Sequence, residues 1–380
     1  MKPILLAAGL FSLLWLLPLS ARAASPDAFH IANWNVENLY DTVDDPDNRY
    51  DDEFLPNNVT TRWTRARFET KLDNLARVIS DMNRGEGPDL LGLQEIENRY
   101  VLEELARRLP GKPYDIVHYD SPDPRGIDTA LLFNRDLFTL RNSMTHTVRL
   151  KWRRETRDIL QADFRGPGGR DLHVFVNHWP SRGGGTEASD PDRFAAARTL
   201  ERAIDYILDR NPAAHILILG DFNDEPSSRS IRTVLDVKPY PSRSGYRADT
   251  LYNLTAAKSD QGWGTFFHSF RGRTDWRMYD QIIASGALLN GARIEYDDDS
   301  LWILQPEFMT ESSGRRKGAP VPSFVGQEYY RGGFSDHFPI GARFDFLQPP
   351  PKKNNPGPAP VPAPVPEPAA SSDANDPVLW

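Results

Sequence analysis

Acidic, amide and imidazole side chains stand repeatedly where apolar, strand-like segments of this chain end or begin. Carboxylate and amide oxygens are the ligands that hard divalent cations prefer, and histidines beside them can move protons near neutral pH. Together these groups suit phosphoryl chemistry, in which a cation neutralises oxygen charge and a carboxylate orients a water molecule. The residues at the segment ends are Asn35, Glu95, Asn177, His178, Asp221, Asn223, Asp336 and His337.

The segments that carry these residues predict an α/β fold. From Phe29 onward, short apolar runs alternate with longer amphipathic ones, which is typical of strands interleaved with helices. In such folds the carboxyl edges of the strands line the crevice where ligands bind, so we expect the polar residues to share one site. The predicted strands are 31–36, 89–95, 114–119, 127–133, 145–152, 159–164, 172–177, 216–219, 280–284 and 338–346.

Three helices are predicted between these strands. The first has apolar residues at steps of three and four, the signature of one buried face: Phe68, Leu72, Leu75, Ile79 and Met82. The second runs from about 99 to 109, and the third from 190 to 211, where Ser189-Asp190-Pro191 fits a capping pattern. Because the order of elements is mixed rather than strictly alternating, we expect a sandwich of two packed β-sheets flanked by helices.

The two ends of the chain differ from its middle. Residues 1–23 combine a lone Lys2, an apolar run too short to span a bilayer, and a small-residue segment that fits signal-peptidase cleavage. We therefore expect export to the periplasm or the medium, with no stable membrane insertion. Residues 348–380 are rich in Pro and Ala and predict a disordered tail. One domain, 24–347, remains between them and is long enough to bury its own core.

Composition limits the function classes. The chain has no cysteine, so disulfides and thiolate ligands are excluded. Its formal net charge is -8, and loss of Lys2 and Arg22 with the signal leaves 53 acids against 43 bases, or -10. Excess acid weighs against a passive nucleic-acid-binding protein, whose affinity comes from basic surface. It weighs only weakly against a hydrolase whose carboxylates bind metal.

Seven motifs follow one another along the chain: 33–39 (NWNVENL), 93–95 (LQE), 125–128 (RGID), 176–178 (VNH), 220–223 (GDFN), 279–282 (YDQI) and 335–339 (SDHFP). In this order they resemble the endonuclease/exonuclease/phosphatase superfamily, to which pancreatic-type deoxyribonuclease belongs. The resemblance covers 29–346 and implies a deoxyribonuclease I-like fold, a four-layer α/β sandwich. The acidic loop, Arg62-Trp63-Thr64 and Gly333 are also similar to a bacterial extracellular subgroup.

The resemblance implies a catalytic cation held by three residues. Glu95 would be the central ligand, with Asn35 and Asp336 nearby. Oxygen ligands without cysteine fit Mg²⁺, with Mn²⁺ or Ca²⁺ as alternatives. Whether one or two cations act is left open.

The resemblance assigns the other site residues to the reaction itself. Asp221 and Asn223 would position the attacking water and the scissile phosphate. His337, oriented by Asp280, would transfer a proton, and His178 would bind a phosphate oxygen. Which histidine acts as the base is left open. We expect hydrolysis by metal-activated water without a covalent intermediate.

The substrate depends on loops rather than on these core motifs. Basic and aromatic stretches near the site favour a nuclease that hydrolyses DNA, with RNA as an alternative. Arg125 and Arg182 are expected to contact phosphate, although each could be an ordinary surface arginine. The stretch 179–185 is favoured because it directly follows His178 and its glycines let a polyanion approach the backbone. The other candidate stretches are 62–67, 151–154, 271–276 and 315–317.

Other functions stay open beside a monomeric secreted nuclease. A lipid phosphodiesterase of the sphingomyelinase type would need an exposed apolar hairpin, and the nearest runs, 266–267 and 301–304, read as core strands. An inositol-polyphosphate phosphatase would carry an arginine in 224–228, where none occurs. A non-catalytic binding module would not need a complete catalytic set. Within the acidic loop from Asp41 to Glu53, the stretch 41–48 lacks the Gly and the terminal Glu of the common calcium loop, and we expect this stretch to be solvated.

Overall fold

The structure is a computed structural model that describes residues 27–347 except 47, 49, 50, 243, 271, 272, 292, 327 and 328; the side chains of 153 and 270 are also left undescribed. The predicted signal segment 1–23, the predicted tail 348–380 and positions 271–272 of one basic stretch lie outside the described residues. Within them, no helix has the length and apolar character needed to cross a membrane.

The described strands are, in chain order, β1 Ala28–Leu39, β2 Leu90–Ile96, β3 Tyr114–His118, β4 Asp128–Asn134, β5 Thr139–His146, β6 Ile159–Gly166, β7 Arg170–His178, β8 Ile216–Asp221, β9 Lys238–Pro239, β10 Leu251–Asn253, β11 Phe266–Phe270, β12 Arg273–Arg277, β13 Asp280–Ser285, β14 Ile294–Tyr296, β15 Trp302–Ile303, β16 Phe324–Val325, β17 Tyr329–Tyr330 and β18 Ile340–Phe346. The α-helices are α1 Arg65–Gly85, α2 Arg99–Ala106, α3 Thr186–Leu208 and α4 Ala256–Asp260. Short 3-10 turns cover Asp51–Phe54, Lys151–Arg153, Pro167–Gly169, Gly286–Leu288, Glu307–Met309 and Gly314–Arg316, and a π turn covers Ser230–Val234.

Two mixed sheets form the middle of the molecule. The first has the strand order β14-β18-β1-β2-β4-β3, with β15 also paired to β18, and the second has the order β5-β6-β7-β8-β13-β10-β9. One apolar core lies between the sheets, a second between the first sheet and helices α1 and α2, and a third between the second sheet and α3. The layers are therefore helix, sheet, sheet and helix, which confirms the predicted four-layer sandwich.

The strand directions bring the polar segment ends together. β1 runs parallel to β2, and β7 runs parallel to β8, so their carboxyl ends lie at the same edges. β13 is antiparallel to β8 and places Asp280 opposite Asp221, at the start of its strand. β18 is antiparallel to β1, so the loop that enters it also lies at this edge.

Two predicted elements differ from the structure. The predicted strand 145–152 is wrong: the strand is β5, which ends at His146, and a 3-10 turn follows at Lys151–Arg153. The third helix begins at Thr186 instead of 190, so Ser189-Asp190-Pro191 lies inside it. Gly185, with φ 104°, provides the entry, and the Ser189 hydroxyl donates to the Gly185 carbonyl at 2.8 Å. The segment Ser189-Asp190-Pro191, which was predicted to cap the helix, therefore lies one turn after the helix begins.

Candidate active site

Asn35 joins the two sheets at their ends. Its Nδ2 group donates to Glu95 Oε1 of the first sheet (3.4 Å) and to Asp221 Oδ2 of the second (3.1 Å). Its Oδ1 atom accepts the backbone N–H of Glu37 at 3.0 Å, and this fixed donor defines the orientation of the amide. Asn35 therefore presents an N–H group, rather than an oxygen, to the two carboxylates. Its role as a metal ligand stays a prediction.

Glu95 ends the regular part of β2 in a left-handed backbone conformation, with φ 64°. Such a φ is costly for a residue with a Cβ atom and is often found at functional sites. Glu95 Oε2 accepts the N–H of Asn38 at 3.0 Å and lies 3.6 Å from Arg125 Nη2. Burial would raise the pKa of Glu95, but the charges of Arg125 and His337 outweigh it and lower the pKa. Glu95 is therefore held as a carboxylate.

His337 and Asp280 form a buried hydrogen-bonded pair. His337 Nδ1 lies 2.7 Å from Asp280 Oδ2, and Asn33 donates to Asp280 Oδ1 at 3.2 Å. His337 Nε2 faces Asp221 Oδ2 at 3.8 Å. Burial alone would lower the pKa of His337, but the charge and hydrogen bond of Asp280, with the charges of Asp336 and Asp221, hold it well above its ordinary value. The ring is therefore protonated at neutral pH and can donate from Nε2.

His178, at the end of β7, has a lowered pKa, in contrast to His337. Its Nε2 atom lies 3.7 Å from Asp221 Oδ2 and 3.9 Å from Glu95 Oε1. Burial, and then the charges of Arg157 and Arg125, lower the pKa of His178 well below its ordinary value. Its buried Nδ1 atom has no hydrogen-bond partner among the described residues. The ring is neutral, so it can bind a phosphate oxygen through an N–H group without adding charge.

The turn after β8 holds Asp221 and Asn223 in a fixed relation. Asp221 Oδ1 accepts the backbone N–H of Asn223 at 2.8 Å, and Asn223 Nδ2 donates to the Trp179 carbonyl at 3.0 Å. Asn223 adopts φ 50°, a second left-handed residue in the site. Burial raises the pKa of Asp221 to about 6; the charge of His337 opposes this rise and that of Asp280 adds to it. Asp221 therefore titrates closer to neutral pH than an ordinary aspartate does.

Glu95 and Asp336 fit a hard divalent cation. Burial and the charge of Glu95 raise the pKa of Asp336, against the opposing charge of His337, so the two carboxylates repel each other. In the described part of the chain, no three ligand atoms from the histidines and carboxylates of this site lie within 4.8 Å of one another. Mg²⁺ does not need them, because it keeps several waters and is usually bound through one or two carboxylates.

The two arginines that were expected to bind phosphate both lie at the site, and both already have protein partners. Arg125, with 38% of its side chain exposed, donates to Asn38 Oδ1 at 2.6 Å. Arg182 donates to the Asn223 carbonyl at 2.8 Å and to Asp224 Oδ1 at 2.7 Å. Their contact with substrate stays a prediction.

A cleft of about 710 Å³ opens beside His337. Its walls come from the loop after β7, the turn after β8 and the β11–β12 ribbon. Phe266 lies in its wall between two other rings, 4.8 Å from His337 and 5.5 Å from Tyr279, measured between ring centroids. The lining residues are Ser181, Arg182, Gly183, Gly184, Gly185, Thr186, Asn223, Phe266, His268, Arg277, Tyr279 and His337.

Two of the predicted substrate-binding stretches contain a tryptophan that lies in the core. The prediction that these two rings face a substrate is wrong. Trp179 is 1% exposed, packs edge-on against Phe222 at 4.8 Å and donates to Asn177 Oδ1 at 3.1 Å. Trp63 is fully buried and donates to the Tyr40 carbonyl at 3.0 Å. Both indole N–H groups are satisfied inside the protein, so these large side chains fill the core instead of facing a substrate.

Sequence reasoning missed Lys71, a fully buried cation on α1. Its Nζ atom donates to the Val36 carbonyl, to Ser323 Oγ at 2.5 Å and to the Phe334 carbonyl at 2.7 Å. It thereby ties the end of β1, which carries Asn35, to the loop that carries Asp336. One feature of the sequence indicates its burial. Lys71 lies three residues after Phe68 and four before Leu75, on the apolar face of the predicted helix.

Arg157 was also missed. It is buried, donates to Asp123 Oδ2 at 2.8 Å and donates to the Trp179 carbonyl at 2.9 Å. Asp123 in turn accepts the backbone N–H of Arg125 at 2.9 Å. Arg157 therefore links the loop that bears Arg125 to the residue after His178.

Comparisons with known proteins agree with this geometry. No curated protein matches the chain significantly. TDP2 from C. elegans has a TM-score of 0.50 and 18% identity, covering 84% of this chain and 75% of that chain. D. rerio TDP2 complexed with single strand DNA product has a TM-score of 0.51 and 16% identity, covering 84% and 99%. The mannosyl-6-phosphatase of Bacteroides thetaiotaomicron has a TM-score of 0.51 and 16% identity, covering 84% and 100%. At these identities the likeness shows a shared fold.

The family is shown by a sequence profile. The profile of the endonuclease/exonuclease/phosphatase family matches residues 30–345, which include every site residue described above. The resemblance seen in the seven motifs is confirmed. The chain belongs to the endonuclease/exonuclease/phosphatase family and is a metal-dependent phosphoric ester hydrolase.

Proposed function

We propose that this protein is an exported, Mg²⁺-dependent nuclease that hydrolyses phosphodiester bonds of DNA, with RNA as the alternative polymer. The observation that carries the proposal is the cleft beside His337. It combines cationic side chains with aromatic rings and a glycine-rich wall, next to the residues of the reaction. A phosphodiester flanked by nucleosides offers the matching groups, which are charged phosphates, flat bases and sugars.

The cleft can serve both parts of a nucleotide. Arg277 and Arg182 supply positive charge that protein carboxylates partly balance. Arg277 is paired with Asp275 and lies 3.7 Å from Glu225, and Arg182 lies 2.7 Å from Asp224. Phe266 supplies a partly exposed ring on which a base or sugar can pack. The overall negative charge of the chain makes this local positive charge the main attraction for a polyanion.

The structural neighbours support two phosphoester classes. One is a TDP2 with a single-stranded DNA product, which favours nucleic acid. Another is a mannosyl-6-phosphatase, which favours a small phosphomonoester. The aromatic and cationic cleft beside His337 leads us to choose the polymer, and the phosphomonoester is an outcome of the test below.

In the proposed reaction Asp221 and His337 act on opposite oxygens. Asp221 Oδ2 accepts a proton from the water whose oxygen attacks phosphorus. As the bond between phosphorus and the leaving oxygen breaks, protonated His337 donates from Nε2 to that oxygen, and Asp280 stabilises the positive ring until then. Neutral His178 donates a hydrogen bond to a non-bridging phosphate oxygen. A cation held by Glu95 and Asp336 would supply charge neutralisation at phosphorus.

The test is a substrate panel with the mature chain, residues 24–380. Plasmid DNA, single-stranded RNA, sphingomyelin vesicles, inositol phosphates and mannose 6-phosphate are each incubated with and without a chelator. We expect chelator-sensitive cleavage of DNA or RNA, with no cleavage by the Glu95→Gln variant. Turnover of sphingomyelin or a phosphomonoester alone would replace the nuclease proposal. Activity that survives both chelation and Glu95→Gln would overturn the site itself.

Export is tested separately. Expression of the full chain in a bacterium with a periplasm, followed by mass spectrometry of the recovered protein, should give an N-terminus at Ala24. Recovery of the intact N-terminus from the cytoplasm would contradict the signal assignment. We also propose that the protein is a monomer, which sedimentation of the mature chain would check.

A further inference from the structure

The loop between β1 and α1 gathers acidic side chains away from the catalytic acids. Asp44, Asp51 and Asp52 each offer a ligand oxygen, and these oxygens lie within 4.8 Å of one another. Asp44 and Asp52 are exposed, so they could separate into solvent. Repulsion between like charges would drive them apart unless something positive lay between them.

Asp51 makes this cluster different from a solvated group of acids. Asp51 is only 1% exposed, although it lies in a loop crowded with acids. Asp51 Oδ2 accepts the N–H of Asp45 at 2.7 Å, but Oδ1 has no hydrogen-bond partner among the described residues. A buried carboxylate oxygen without a partner is costly, and native proteins usually satisfy it with a donor, a water or an ion.

The position of Asp51 is fixed by an aromatic cluster. Asp51 begins the 3-10 turn that ends at Phe54, whose ring stacks on Tyr40 with centroids 4.0 Å apart. Phe54 also packs edge-on against the buried Trp63 at 6.3 Å. The turn cannot move outward without exposing these rings, so Asp51 is held beside Asp44 and Asp52.

The surroundings attract cations. A cavity of about 640 Å³ adjoins the loop and contains Asp44 in its wall, together with other acids, while its described lining includes no lysine or arginine. The acidic lining residues are Asp41, Asp44, Asp45, Asp120, Asp128 and Glu155, together with Asp123, which Arg157 neutralises, and Glu97, whose pKa burial raises to about 8. Acids that share one concave surface focus a negative potential, which raises the local concentration of divalent cations.

We propose that Asp44, Asp51 and Asp52 bind a calcium ion that is separate from the catalytic cation. The ligands are oxygens on a turn with an exposed side, which leaves room for waters and for the irregular, six- to eight-fold coordination that Ca²⁺ accepts. Mg²⁺ demands a closer octahedral geometry and fits such a loop less well. Asp51 is the preformed ligand, and Asp44 and Asp52 close on the ion.

The proposed ion would act on the substrate side of the active site through the loop. Tyr40 Oη donates to the Arg125 carbonyl at 2.6 Å, and Asn48 Nδ2 donates to the same carbonyl at 3.3 Å. Tyr40 directly precedes the acidic loop, and Asn48 lies inside it between Asp44 and Asp51. An ion that fixes the segment therefore also fixes the backbone of Arg125, and its removal is expected to raise KM more than it lowers kcat.

The test measures calcium binding with the catalytic cation site removed. In a Glu95→Gln/Asp336→Asn background, calorimetry with CaCl₂ alone should give one site per chain. Thermal unfolding at about one hundred times Kd should show Tm higher by about 3–5 °C than without calcium. Adding Asp51→Asn or the exposed Asp44→Asn should abolish both signals. Glu53→Gln is the matched control, because it removes the same charge from the same turn outside the cluster and should leave both signals intact.

The outcomes separate this proposal from the nuclease proposal, since none of these measurements uses a substrate. Absence of calcium binding in the double-variant background overturns the site. So does calcium binding that Asp44→Asn leaves unchanged, and this outcome does not depend on the folding of an Asp51 variant. A signal that Glu53→Gln removes equally would show general attraction to the acidic surface instead of a site.

Discussion

At the scale of single residues, two histidines of one site are driven to opposite protonation states. His337 has Asp280 behind it and stays protonated, whereas His178 is buried beside arginines and stays neutral. The same pocket therefore holds a charged proton donor and an uncharged hydrogen-bond donor within reach of Asp221. The two pKa values differ because the surroundings of the two rings differ, and not because of the rings themselves.

Asp280→Asn is expected to lower the pKa of His337 and to slow turnover. Burial alone lowers the pKa of His337, so loss of the Asp280 charge should move its titration to lower pH and leave more of the ring neutral at pH 7. NMR titration of the metal-free protein measures this shift directly. A kcat about 10²–10⁴-fold lower, with KM little changed, is expected from the lost orientation. An unchanged titration would contradict the pairing.

Glu95→Gln and Asp336→Asn are expected to lower kcat/KM roughly a thousand-fold, since charge neutralisation at phosphorus depends on the cation they hold. Each variant also removes one of two carboxylates that repel each other in the metal-free protein. Thermal unfolding of Asp336→Asn in chelator should therefore show Tm equal to or above that of the wild type, whereas Glu95→Gln should lower Tm slightly, because Arg125 and His337 stabilise the Glu95 carboxylate. A large fall in Tm would mean that these residues serve mainly the fold.

At the scale of elements, α1 reaches into the site through Lys71. Burial lowers the pKa of Lys71 to about 8, yet its three hydrogen bonds hold segments that carry Asn35 and Asp336. A helix that covers the sheet thus also sets the spacing between two loops of the active site. Lys71 is a positioning residue because its hydrogen bonds go to Val36, Ser323 and Phe334, which flank the site residues.

Lys71→Met should weaken Mn²⁺ binding by about tenfold or more, as losses behind metal ligands commonly do. It should also lower the free energy of unfolding by about 1–3 kcal/mol, because buried carbonyls lose their donor. Calorimetry and denaturation measure the two effects. Lys112→Met is the control: Lys112 also donates to a carbonyl, that of Gly87 at 2.8 Å, but far from the site. It should lower stability and leave metal affinity unchanged.

Gly220, directly before Asp221, is required by the close approach of β7 and β8. It has φ 153°, and a Cβ atom there would lie 2.3 Å from the Asn177 carbonyl oxygen. Gly220→Ala should lower the free energy of unfolding by about 3 kcal/mol or more. Gly262→Ala, at φ 84° with no neighbour within 4 Å, should cost only about 1 kcal/mol. Similar losses in urea denaturation would contradict the steric explanation.

The elements could be predicted where one strong pattern dominated. The apolar spacing of α1 and the buried run of β2 are confirmed, and so is the convergence of Glu95, Asp221 and His337 at one edge. The prediction of a strand at 145–152 is wrong because the alternation of apolar and polar residues continues past the end of β5 into a turn. Lys71 and Trp179 could not be placed, since burial of a lysine or tryptophan depends on partners distant in sequence.

At the scale of the whole molecule, one domain contains every described core. The apolar clusters and all residues of the site lie between Phe29 and Phe346. We therefore expect that the Pro/Ala-rich segment 348–380 is not needed to complete the hydrolase.

Deletion of 348–380 is therefore expected to leave kcat and KM within about twofold and Tm within about 1 °C of the longer protein. Steady-state kinetics and thermal unfolding of chains 24–347 and 24–380 provide the comparison. A truncated protein that is inactive or much less stable would show that the segment has a structural role.

The hydrogen bonds of Asn35 and Asn33 cross from one sheet to the other. Each sheet thus carries half of the reacting groups, and their separation is set by the apolar side chains packed between the layers. A small slip of one sheet over the other would separate the halves while leaving every strand intact. The turnover rate should consequently depend strongly on the alignment of the two sheets. Core substitutions far from any catalytic atom can abolish activity without unfolding the protein.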